Sequence, residues 1–133
     1  MNNKIRTIII SLVFLLVSSG LWAGGGSEKN AYDGIYHGVI PAADCPGIAV
    51  VLILNTEGQY KLTYQYIDRG VELFTSSGTF TYDGKTKMIT LNAGNLPSYY
   101  RMGKNKLTQL DMEGKEITGQ FARNYILRKV GFN

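Results

Sequence analysis

The chain holds one cysteine and one histidine in 133 residues, and each scarcity removes a class of function. With Cys45 alone, no disulfide can form within the chain. No cysteine directly follows the N-terminal apolar run, and Cys45 lies too far downstream to be lipidated, so no lipid anchor is expected. With His37 as the single imidazole, nucleophilic catalysis would have to combine Cys45 with His37 as base and Asp44 as orienter. Residues 44 and 45 are adjacent and point in different directions, and no oxyanion donor is identifiable, so no catalytic residue and no enzymatic activity are expected. A stripe of one charge sign is missing too: the cations are scattered, which excludes the electrostatic footprint of a nucleic-acid binder. After Ala31 no long apolar stripe recurs at helical spacing, and this excludes a helical fold.

What is present begins with "TIIISLVFLLV", preceded by Lys4 and Arg6 and followed by "SSGLWAGGG". These are the three regions of a secretory signal peptide, with cleavage expected after Ala23. The run is shorter than the roughly 20 residues that span a bilayer and ends in glycine and serine, so a membrane anchor is not expected. Residues 1–23 are assigned to the signal peptide, 24–31 to a flexible leader, and 32–133 to one domain with one core. The formal charge of +4 shrinks with the signal, because Lys4 and Arg6 belong to the 14 cations and leave 12 facing 10 acidic residues. A mildly basic periplasmic or secreted protein is expected, without a stable membrane anchor after signal cleavage.

The rest is written in short strands cut by turns. In "QYKLTYQYID", Tyr60, Leu62, Tyr64 and Tyr66 share one phase while Lys61, Thr63 and Gln65 share the other, as a half-buried strand requires. It follows "IAVVLIL" across "NTEG", a natural hairpin turn. "SGTFTYDGKTKMITL" pairs two strands around Asp83-Gly84, and "NKLTQLDMEGKEITGQF" is expected to do so around Glu113-Gly114. With "GIYHGVI" first, "SYYRM" in the middle and "YILRKV" last, the count is about eight to nine strands in sequential order. That favours an all-β, up-and-down barrel of about eight strands over a sandwich, since closure removes both sheet edges. Nine tyrosines can line the mouth of such a barrel or plug it. Asp68, Glu72, Asp83, Asp111, Glu113 and Glu116 sit in or beside turns, where bonding to local backbone is expected.

Three pieces taken together, "YHGVIPAADCPGIAVVLILNTEGQYKLTYQY", "SGTFTYDGKTKMITL" and "LTQLDMEGKEITG", resemble the N-terminal domain of the NlpE family, envelope proteins linked to copper resistance and stress signalling. The most specific part runs from Gly38 to Tyr60: Pro41, then Ala43 to Ile48, a strand, Asn55, and a Gly58 turn leading into Tyr60. The resemblance implies a small, lipocalin-like β-barrel. It also implies a CxxC pair, of which this chain has Ala42 in the first position and Cys45 in the second. A lipidated cysteine and, in some members, a second C-terminal domain belong to the family pattern; this chain shows neither, about 110 residues after the signal being enough for one domain only.

Copper is the one cofactor the resemblance brings in; otherwise none is expected. Copper(I) wants soft thiolate or thioether donors, so Cys45 is the candidate ligand, and it would need His37, Met88, Met102 or Met112 to fold toward it. A lone thiol in an oxidising compartment can also form a mixed disulfide, although the neighbouring Asp44 disfavours the thiolate. In "IAVVLIL", Ile48, Val50, Leu52 and Leu54 occupy one phase and Ala49, Val51 and Ile53 the other, and both phases are apolar. One phase must look outward in a barrel, where relatives commonly place threonines and charges. An outward apolar row is covered by the leader or the C-terminal "VGFN", or it is offered to a partner. We therefore expect a protein-contact stripe at Ala49, Val51 and Ile53, beside a recognition loop of Pro41, Ala42, Ala43, Asp44, Cys45, Pro46 and Gly47. The reading is a non-catalytic envelope protein in stress or copper-related sensing through contact with an envelope protein partner. The alternative is a lipocalin-like carrier of a small apolar ligand.

Overall fold

The computed structural model describes residues 31–94 and 98–131. The expected signal peptide and residues 24–30 of the leader lie outside the described residues, and the chain from Tyr32 onward forms one compact unit. Its strands follow one another in chain order: β1 (Gly34–Ile40), β2 (Ile48–Leu54), β3 (Gln59–Tyr66), β4 (Phe74–Asp83), β5 (Met88–Leu91), β6 (Tyr99–Gly103), β7 (Lys106–Gln109) and β8 (Ile126–Lys129). Every neighbouring pair is antiparallel, and β1 also pairs with β8, so the eight strands seal into an up-and-down barrel.

Period-two alternation places one set of side chains inside. Leu52 faces Tyr36 on β1 and Leu62 on β3, and all three are buried. Ile89, Tyr100, Leu107 and Leu127 continue the core around the cylinder. At one end the strands are joined by tight turns. Asn55 Oδ1 accepts the amides of Glu57 at 3.0 Å and Gln59 at 2.8 Å, closing the first of these as an Asx turn does. Tyr32 floors this end, its ring 5.3 Å from Phe80 and 5.2 Å from Tyr82. The Tyr36 hydroxyl donates to the Tyr32 carbonyl at 2.9 Å, which ties the floor to β1. The opposite end carries the longer connections 41–47, 67–73 and 110–125.

One expected hairpin is not there. "NKLTQLDMEGKEITGQF" supplies β7 and then a single bridge, Leu110 to Glu116, before a 3-10 turn at Ala122–Asn124. Asp111 Oδ1 captures the amides of Glu113 at 2.8 Å and Lys115 at 2.9 Å. These bonds, the Lys115 amide first, hold its carboxyl below the usual carboxylate range. The turn therefore forms as expected around Glu113 and Gly114. The second strand fails because residues 118–121 are exposed and Gly119 adopts φ 106°, a conformation outside the strand region.

Candidate functional site

The 41–47 loop joins β1 to β2 at the end opposite the Tyr32 floor. It is fastened to the 67–73 connection by three bonds. The Ile67 amide donates to the Gly47 carbonyl at 3.0 Å. The Arg69 guanidinium reaches the Asp44 carbonyl at 2.7 Å and the Asp44 carboxylate at 3.0 Å. Gly47 is dictated by space: a Cβ there would lie 2.6 Å from Val39 Cγ1 and 3.2 Å from the Ile40 carbonyl. The Cys45 thiol donates to that same Gly47 carbonyl at 3.2 Å.

Asp44 is thus committed to Arg69 rather than to Cys45. His37 lies on the outer face of β1, paired with Val51 and Arg128, while Met102 packs against the core and Met112 is exposed in the 110–125 connection. Among the described residues no three His, Cys, Asp or Glu side chains gather as metal ligands. With Ala42 at the first position of the pair and Cys45 at the second, the loop offers copper(I) one soft donor, which does not make a two-thiolate clamp.

The stripe faces outward as its phase requires. Val51 is 38% and Ile53 37% exposed, with Ala49 half-buried between β1 and β3. In register, Ala49 pairs with Val39, Val51 with His37, and Ile53 with Ile35. Val39 is 53% exposed and carries the apolar row onto β1. There it enters a groove with Pro41, Ala43, Pro46 and Tyr125, beside Phe121, itself 54% exposed. The stripe and the loop therefore form one apolar surface. Sequence reasoning missed Val39 and Phe121. The alternation of "GIYHGVI" held the signal for Val39, whereas Phe121 is placed by the return path from β7 to β8 and has no local pattern. Val71 and Leu73, exposed on the connection that Arg69 holds to the loop, were missed as well. Lys61 and Arg128 flank the surface through their pairings with Ile53 and His37.

Inside the same end lies a cavity of about 110 Å³. One wall is Ile40, Ile48, Val50 and Leu62, continued at the rim by Tyr64 and Tyr66. Phe74 stacks on Tyr64 at 5.1 Å and meets Tyr66 edge-on at 5.8 Å. Tyr100 and Gln109 form the opposite wall. The tyrosines thus do both expected jobs, plugging the floor and lining the mouth.

Fold and surface together define a class: a small, closed, lipocalin-like barrel, floored at one end, with its longer loops and an exposed apolar stripe at the other. Within that class the chain belongs to the NlpE N-terminal domain family, which it matches over residues 36–120. It is 36% identical over 94 residues to lipoprotein NlpE of Escherichia coli K12, an alignment covering 69% of this chain and 39% of the relative. The crystal structure of the Cpx pathway activator NlpE from Escherichia coli matches with a TM-score of 0.56 and 32% identity, over 66% of this chain and 47% of the other. A Shewanella oneidensis structure described as a candidate lipoprotein matches with a TM-score of 0.69 and 39% identity, over 78% and 95% of the two chains. The chain therefore spans about two fifths of the curated relative's length and about half of the solved Escherichia coli chain.

Proposed function

We propose that this protein is an exported, non-catalytic component of envelope stress sensing that works by protein contact through the stripe and the 41–47 loop. One observation carries the reading: Ala49, Val51 and Ile53 face outward in a continuous apolar row that Val39 extends to the loop. A barrel strand needs only its inner phase apolar, so a second apolar phase left exposed costs solubility unless something binds it. The relative described as a Cpx pathway activator supports a stress-signalling partner. Its complementary face is expected to be apolar at the centre with carboxylates opposite Lys61 and Arg128, since charge at an interface rim guides orientation and the buried centre supplies affinity.

Val51→Thr with Ile53→Thr tests this. The swaps keep β-branched shape on exposed positions, so folding stability should move by less than about 0.5 kcal/mol per site. Affinity should fall by about 1 kcal/mol per side chain, roughly 30-fold in total. Read out as induction of an envelope stress reporter on overproduction, wild type should induce and the double variant should not. Equal induction by both contradicts the proposal.

Copper enters this reading only through Cys45. Because one thiolate lacks its clamp partner, a copper(I) titration should give the same affinity for wild type and Cys45→Ser. Tighter binding by wild type would place a thiolate site at the loop.

A further inference from the structure

The cavity at the loop-bearing end is built differently from the outward stripe. Its β1 to β3 wall is aliphatic and aromatic, and among the described residues no charged side chain lines it. Gln109 stands in the inward phase of β7, in step with Leu107, and is 6% exposed. It is the single buried polar residue among the described residues. Its backbone amide donates to the Tyr125 carbonyl at 2.8 Å. Its side-chain amide makes no hydrogen bond to another described residue, and since every fully enclosed side-chain nitrogen or oxygen among them is partnered, it is open to the cavity it lines.

The amide is not fully enclosed, so water entering through the half-open mouth can reach it, and its placement costs less than the roughly 1–3 kcal/mol of a fully desolvated group. Leucine in the same phase would fill this place without that penalty. A polar group kept there acquires a use when something in the cavity bonds to it, which is how apolar pockets with few polar groups orient their ligands. The size constrains the occupant: at about 110 Å³ the space is smaller than the roughly 150 Å³ apolar cavity that encloses benzene, so a body of about six carbons seats only with one edge in the open mouth. The lack of a lining charge constrains it further, since an ionised group there would be desolvated without a counter-ion. Burial pushes the Tyr100 phenol well above its ordinary range, with Tyr60 adding to the effect, so this second wall group stays neutral and can donate or accept.

We infer that the barrel mouth is a binding site for a small neutral amphiphile, whose apolar body of about six carbons packs on Val50, Leu62 and Tyr64 while one hydroxyl or amide bonds to Gln109. The site is separate from the outward stripe, and the two stand or fall independently.

Phenol and toluene are suitable probes, alike in size and differing by the hydrogen-bonding group. In the exported chain labelled with nitrogen-15, phenol should shift the Gln109 side-chain amide resonances saturably at one equivalent. Gln109→Leu should bind phenol about tenfold more weakly and toluene at least as tightly as wild type. This variant removes no side-chain hydrogen bond among the described residues and should keep the wild-type backbone spectrum. Absence of saturable phenol shifts at Gln109 in wild type overturns the inference without reference to any variant. Equal phenol affinity in wild type and Gln109→Leu overturns it too.

Discussion

Gly38→Val should destabilise the protein by about 3 kcal/mol and lower its melting temperature by roughly 12 °C or more. Gly38 lies in β1 at the closing seam, where β1 meets β8. A Cβ added there would stand 2.8 Å from the Ile126 carbonyl oxygen and 3.0 Å from Leu127 Cδ2. The first contact is with backbone, so no side-chain rotation relieves it. The seam is short, with Tyr36 opposite Lys129 and His37 opposite Arg128, and a displaced β8 would leave both sheet edges unpaired. Gly131→Ala, where an added Cβ meets nothing within 4 Å, is the matched control and should melt within about 3 °C of wild type. Thermal melts of the two variants decide the matter: a Gly38→Val protein as stable as the control would mean that the seam is not packed as described.

The second large effect is alkaline. Burial, with help from Asp33, pushes the Tyr36 phenol up to about 12, and burial raises Tyr100 further. An unfolded tyrosine ionises near pH 10. Below that value both states are neutral and the stabilisation is fully present; as pH rises toward the folded values, the unfolded chain ionises first and stability is lost. Tyr36 alone represents on the order of 2 kcal/mol. The urea midpoint should therefore hold between pH 8 and 9.5 and fall steeply above pH 10. Tyr100→Phe should flatten that fall. A midpoint independent of pH up to 12 would show that neither phenol is buried as the barrel requires.

How far the sequence reached depends on where each constraint is written. In β3 apolar and polar residues alternate, and "NTEG" before it carries its own turn chemistry, so the hairpin register could be read locally, and that register assigns the outward phase to Ala49, Val51 and Ile53 of β2, whose own two phases are both apolar. The loop 41–47 was readable as a loop, but its fastening through Arg69 was not, because that contact joins positions 25 residues apart. The segment after Glu116 misled for a physical reason: "ITGQF" alternates like a strand, yet Gly119 at φ 106° breaks the extended path, and Phe121 ends 54% exposed while Ile117 is half-buried. Gln109 was legible in principle, as a polar residue in step with Leu107, and alternation alone gives no hint that a cavity stands before it. Val39 needed only the β1 to β2 register to join the stripe. Phe121 needed the whole barrel.

Light-induced crosslinking in living cells tests the apolar stripe on β2 as a protein-binding surface most directly. A photoreactive residue at position 51 should capture one discrete envelope protein under envelope stress, and the yield should collapse when Val39→Asp is added. The same residue at position 81, on the outer face of β4 opposite Thr90, should capture nothing discrete. Equal capture at the two positions, or none at position 51, would contradict a protein-binding stripe on β2.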